Sequence, residues 1–221
     1  MVISGVDEAP LTKELLQYRV AVATISGRSY YKITTALRSM DMRFYSLSPE
    51  QAAGSDAQVI ITTRDEADRV GRNKAMVVML DTELGSPAVA KARILQSING
   101  ARMDDQLTVG IDPGSRIGIS VIYMQEEIAS MVESSPQNAV EQISAMLGGI
   151  SSCRKVVKIG DGKMAMAQQM AWEIKKKFPG VVVEIVDERG TSQNVEVNKR
   201  GARDRSSARM IAFRRGWAFT L

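Results

Sequence analysis

A chain of 221 residues with 44% apolar side chains, a formal charge of +4 and a pI near 9.2 has room for one large domain or two small ones and the material for a real core, which excludes a disordered protein. Its single cysteine, Cys153, excludes a disulfide framework or a multi-cysteine zinc centre within one chain. The absence of histidine removes imidazole bases and ordinary imidazole metal sites, so any chemistry falls to carboxylates, lysines, hydroxyls or a metal held by oxygen.

Met1 to Gln17 lacks the basic, apolar and small-residue regions of a secretory leader, and no apolar run reaches membrane-spanning length. A cytoplasmic protein with no membrane partner is expected. A short helix is expected at Leu11 to Tyr18. Arg19 to Thr24 (RVAVAT) is β-branched and reads as a buried strand, followed by SGRS and a helix from about Tyr30 to Ser39. Further strands are expected at Arg43 to Leu47, Gln58 to Thr62 and Lys74 to Leu80. Ser86 to Ile98 fits a helix, with Ser86 as N-cap, Pro87 at its first position and Asn99-Gly100 at its end.

This alternation implies a small parallel α/β unit, with a domain division at 1–104 and 105–221. Ser26 to Ser29 lacks the glycine pattern of a phosphate-binding loop and is expected to be a plain turn, although its amides and Arg28 would suit a phosphate. Asp81 and Glu83 read as a solvated strand end. No chemistry is evident in this half, and a recognition or dimerisation role is expected of it.

From Leu107 the pattern changes. Leu107 to Asp112, Ile117 to Tyr123 and Glu127 to Val132 form three strand-like runs with short connections, an antiparallel meander. Helix Pro136 to Leu147, strand Lys155 to Ile159, helix Lys163 to Phe178, strand Val181 to Val186 and a last helix from Asp204 to about Trp217 follow. The order is β-β-β-α-β-α-β-α.

Three acidic stations fall at element ends. Asp112 closes an apolar run before a Pro-Gly turn, where a carboxylate is costly unless it caps the turn or meets a cation. Asp187 and Glu188 close the last strand, where alternation turns one of them inward. Asp204 opens the final helix on the face of Ala208, Ile211 and Ala212, pointing at the sheet. Taken singly, Asp204 also reads as a helix-dipole partner and Glu188 as an ion pair with Arg189. Clustered carboxylates require bound cations or protons, and an oxygen-lined site favours Mg2+ or Mn2+.

The segments IDPGSRIG, DERGTS and DRSSARMIA resemble the first-strand turn, the late-strand segment and the final helix of the RuvC-type Holliday-junction resolvases and the related YqgF proteins. The resemblance covers the C-terminal half and implies a ribonuclease H-like fold with a mixed sheet. It implies that Asp112, Glu188 and Asp204 are catalytic metal ligands. Two metal ions about 4 Å apart would then activate water and stabilise the leaving 3′ oxygen. The family's second helix acid falls on Ser207, and its fourth-strand glutamate is missing from KVVKIGDGK. Asp161 is a nearby substitute for that acid, or simply part of a Gly-Asp-Gly turn; Asp187 is a further candidate ligand.

Charge placement agrees with a nucleic-acid partner. Arg189 to Arg215 holds eight basic residues against two acids. Arg116, Arg189, Lys199, Arg200, Arg203, Arg205 and Arg209 are the candidate phosphate contacts. The expected function is a divalent-metal-dependent nuclease on branched DNA or structured RNA, as a homodimer because symmetric junction cleavage needs two sites. One alternative is a nucleic-acid-binding protein with a degraded site. The other is a nucleotide-binding module of the actin-like ATPase superfamily, which shares the D-x-G turn but has a larger, duplicated core.

Overall fold

The computed structural model describes residues 19–71, 77–100, 105–189 and 200–220, and the chain divides into two compact units, residues 1–101 and 102–221. The helix expected at Leu11 to Tyr18 lies outside the described residues. No described helix is long and apolar enough to cross a membrane.

In the first unit, β1 (Val20–Ala23), β2 (Tyr45–Leu47), β3 (Val59–Thr62) and β4 (Val77–Leu80) form a parallel sheet in the order β2-β1-β3-β4. Every residue of β1 and β3 is buried, which is why these strands read as unbroken apolar runs rather than alternating ones. Helices α1 (Gly27–Ser39), α2 (Pro49–Ala52) and α3 (Pro87–Asn99) complete the unit. Ile33 and Leu37 of α1 and Ile94 of α3 join Val22, Val59 and Ile61 in one core cluster; Ala21, Ala23, Ala52 and Ile60 form another.

Helix α1 begins three residues earlier than its apolar spacing suggests. The Ser26 hydroxyl accepts the Ser29 N–H at 3.3 Å, so the expected turn at Ser26 to Ser29 is the cap and first turn of the helix. Asp81 and Glu83 lie in a 3-10 turn, Asp81–Leu84, rather than on a free strand end. Glu83 accepts the Leu80 N–H and pairs with Arg93, and Asp81 pairs with Lys32, so both carboxylates have structural partners.

The second unit is a mixed six-stranded sheet in the order β10-β9-β8-β5-β6-β7. Strands β5 (Gln106–Pro113), β6 (Ile117–Tyr123) and β7 (Glu126–Glu133) are the antiparallel meander. After α4 (Pro136–Gly149), β8 (Arg154–Gly160) pairs parallel to β5; after α5 (Met164–Lys177), β9 (Val182–Val186) pairs parallel to β8. Val109, Ile111, Ile119, Val121, Val157 and Ile159 are fully or almost fully buried, and Ala139, Val140 and Ile143 of α4 with Met170 and Ile174 of α5 are buried as well.

The last helix, α6 (Arg200–Phe213), packs on β5 and β6 through small residues. A Cβ on Gly110 would overlap the Ala208 carbonyl oxygen, and one on Gly118 would overlap that of Asp204. Two glycines on neighbouring strands therefore let the helix backbone lie directly on the sheet. Two expectations change here. The helix ends at Phe213, and Trp217–Ala218 instead forms β10, pairing antiparallel with β9. The helix also starts at Arg200, so Asp204 lies a full turn inside it. The dipole effect fades beyond the first turn, which weakens the dipole-partner reading of Asp204.

Candidate metal and nucleic-acid site

Asp112 is the seventh residue of β5 and stands opposite Gly118 in the antiparallel register, under α6. Burial, and then the charge of Asp204, push its carboxyl above the usual carboxylate range; a hydrogen bond from Ser207 and the charge of Arg203 pull partly the other way. Ser207, where the resemblance leads one to expect a carboxylate, is buried and donates to Asp112 instead. The Asp204 carboxylate pairs with Arg116 Nε at 4.0 Å.

Glu188 lies two residues beyond the end of β9. Its side chain crosses to the end of β8 and rests on the Gly160-Asp161-Gly162 turn: a Cβ on Gly160 would overlap Glu188 Oε1, and one on Gly162 would overlap Oε2. The acid missing from β8 is thus replaced, at that strand end, by one arriving from the next strand. Burial, then Asp112, then Asp161 drive the Glu188 carboxyl above its usual range, and the Gly162 N–H donates to it and partly offsets them.

Asp161 and Asp187 hold backbone. Asp161 Oδ1 accepts the Glu188 N–H at 3.0 Å, while the Asp161 N–H donates to the Val186 carbonyl at 3.0 Å. Asp187 is exposed, accepts the Arg189 N–H at 2.8 Å and pairs with the Arg189 guanidinium at 3.8 Å. Strand alternation does not decide between Asp187 and Glu188 because β9 has already ended at Val186. Asp112, Glu188 and Asp204 converge electrostatically; Asp187 turns away.

Among the described residues, no three or more Asp, Glu or Cys side chains form a ready metal-binding group. Carboxylates that repel one another are not drawn into such a group by themselves. The donor set, three carboxylates and a hydroxyl, suits a hard divalent cation.

Of the basic candidates, Arg203 and Arg205 are exposed on α6. The Arg116 and Arg205 guanidinium groups both come close to Gly201. Arg209 is tied to Glu127 at 3.7 Å, and Glu127 also accepts the Ser120 hydroxyl at 2.6 Å. Arg189 extends into solvent, with its side chain 95% exposed. Lys199 and the Arg200 side chain lie outside the described residues. Arg214, one of the eight basic residues of the segment, donates to the carbonyls of Asp187 at 2.9 Å and Arg189 at 2.8 Å, which makes it a brace for the β9 exit. Lys158 donates to the Arg214 carbonyl at 2.5 Å.

Sequence reasoning missed Gly110, Gly118, Gly160, Gly162 and the brace at Arg214. The one available signal was glycine interrupting apolar runs, in VGID, IGIS and KIGDG.

In the first unit, Glu66 is 6% exposed and accepts the Ile25 N–H and the Thr63 hydroxyl, both at 2.8 Å. Burial alone would raise its carboxyl. Hydrogen bonds from Thr24, Ile25 and Thr63, with the charge of Arg69, hold it below its ordinary value of 4.5.

Residues 19–94, within the first unit, match the family described as a response regulator receiver-like domain. No curated protein sequence matches the chain. The structure is similar to the QDE-2 AGO MID-PIWI domains of N. crassa at 9% identity and a TM-score of 0.27, covering 87% of this chain and 79% of that one. It is also similar to the Marinitoga piezophila Argonaute, crystallised in complex with guide RNA and target DNA, at 9% identity and a TM-score of 0.24, covering 77% of this chain and 39% of that one. Superpositions this loose leave the fold reading to the strand order itself.

Proposed function

We propose that the second unit is a ribonuclease H-like domain of the RuvC/YqgF-like kind, a nuclease that hydrolyses phosphodiester bonds in branched DNA or structured RNA with Mg2+ or Mn2+. Asp112, Glu188 and Asp204 would hold the metal. The observation that carries this reading is the convergence of carboxylates from β5, the β9 exit and α6, two of which raise each other's proton affinity or are raised by the third. The element order and mixed sheet support the family resemblance. A divalent metal bound by carboxylates supplies an activated water and stabilises the leaving oxygen of a phosphodiester.

The chain's own residues have definable parts in this reading. Ser207 orients the Asp112 carboxylate and Arg116 restrains Asp204. The exposed Arg203 and Arg205 present charge to phosphates on the same helix that carries Asp204. Cutting both strands of a symmetric junction calls for two copies of the site, so a homodimer belongs to this proposal. The first unit contributes a receiver-like recognition module. Open parallel sheets bind ligands at the carboxyl ends of their strands, and there Glu66 is already engaged by Thr24, Ile25 and Thr63.

The test is cleavage of labelled four-way junctions, duplex DNA and structured RNA with Mg2+ or Mn2+, with Asp112→Asn alongside. Metal-dependent cutting that the variant loses is the expected result; no cutting of any substrate would remove the nuclease reading. One observation favours a second reading, a nucleic-acid-binding protein without cleavage: Ser207 stands where the resemblance implies an acid. Equal binding by wild type and Asp112→Asn, with no cutting by either, would select it.

A further inference from the structure

Building on that reading of the site, we infer that Asp161 is a positioning residue, not a metal ligand: it clamps the Glu188 backbone so that the Glu188 carboxylate lies over the Gly160-Gly162 turn. Glu188 has left the sheet, so no ladder hydrogen bond fixes it. Its place is set instead by contacts on either side. Asp161 Oδ1 takes the Glu188 N–H, and the Asp161 N–H takes the Val186 carbonyl, which ties the β8 exit to the β9 exit. From the other side, Arg214 holds the carbonyls of Asp187 and Arg189, the residues flanking Glu188.

With its backbone held at Asp187, Glu188 and Arg189, the side chain is directed onto a seat that exists only because positions 160 and 162 have no Cβ. The Gly162 N–H then donates to the carboxylate. Asp161 therefore acts on any cation through Glu188. Its backbone bond needs an acceptor oxygen, not a negative charge, which separates this role from that of a ligand.

The test uses the full chain and compares Asp161→Asn, which keeps an acceptor oxygen, with Asp161→Ala, which does not. Two readouts are followed: hydrogen exchange of the Glu188 amide by NMR, and Mn2+ affinity by calorimetry. The expected result is a protected amide and near wild-type affinity in Asp161→Asn. Asp161→Ala is expected to lose that protection and to bind Mn2+ about 10- to 100-fold more weakly, as when a supporting partner of a ligand is removed. Gly160→Ala should lower Mn2+ affinity while the Glu188 amide stays protected.

Two results would overturn the inference. In one, Asp161→Asn weakens Mn2+ binding as much as Asp161→Ala while its amide stays protected, which would make the charge itself the contribution. In the other, Asp161→Ala leaves amide exchange unchanged. If the wild type binds no Mn2+, the metal reading fails, yet amide exchange still decides whether Asp161 holds Glu188.

Discussion

Glu66 in the first unit and the pair Asp112 and Glu188 in the second are all carboxylates partly or wholly withdrawn from water near strand ends, yet their surroundings differ in kind. Glu66 is surrounded by donors: two hydroxyls, a backbone amide and a nearby arginine hold its carboxyl below the ordinary value. Asp112 and Glu188 each have a donor as well, Ser207 and the Gly162 amide, but each also faces another carboxylate and is held above the ordinary value. A buried acid that is fully satisfied is part of the scaffold. Buried acids that oppose one another store a preference for positive charge, which is the physical signature of a cation site.

The largest expected effect comes from prising the second cluster apart. In Gly118→Val the side chain must displace the α6 backbone at Asp204, and the second unit should lose about 3 kcal/mol, by urea unfolding followed through tryptophan fluorescence. Both tryptophans, Trp172 and Trp217, lie in that unit, so the signal is specific to it.

Next in size is the satisfied acid. Glu66→Ala leaves the Ile25 N–H and two hydroxyls without their acceptor and should cost the first unit about 1–3 kcal/mol, seen by circular dichroism during unfolding. Asp112→Asn, by contrast, removes a repulsion, and the metal-free second unit should be no less stable for it. Equal losses in the two variants would erase the distinction between them.

The two regions should also respond to pH with opposite sign. Glu66 has a lowered folded-state value, so its stabilising contribution is complete above 4.5 and is lost as pH falls through that lowered value. Asp112 and Glu188 have raised folded-state values, so their cost to metal-free protein is absent below their ordinary values of 3.8 and 4.5 and grows as pH rises through the raised ones. Acidifying from neutrality should first stabilise the tryptophan-bearing unit, and only below 4.5 weaken the other. A smaller effect concerns the surface: Arg205→Ala should weaken nucleic-acid binding modestly and reduce the slope of log affinity against log salt by about 1, as the loss of one phosphate contact does.

How much of this was legible follows from the kind of signal each feature leaves. The parallel strands and the meander were readable because β1, β3, β5 and β6 are unbroken apolar runs between turn residues. The start of α6 was not: Arg200 to Arg203 carries no apolar spacing, and its helical form depends on tertiary contact. The four-residue α2 and the two-residue β10 are too short for any period to show. Asp112 stood out as an acid ending an apolar run. Glu188 could be separated from Asp187 only by knowing that β9 stops at Val186, and the glycine seats only by knowing which backbone lies above them. Arg214 was counted among phosphate-gripping charges, but its guanidinium is committed to two carbonyls.

The most direct test of the contrast is calorimetric titration of Mn2+ into the wild-type chain, Asp112→Asn and Glu66→Gln. A saturable binding event that Asp112→Asn abolishes and Glu66→Gln leaves intact is the predicted result. No binding by the wild type, or binding that survives Asp112→Asn, would contradict the account.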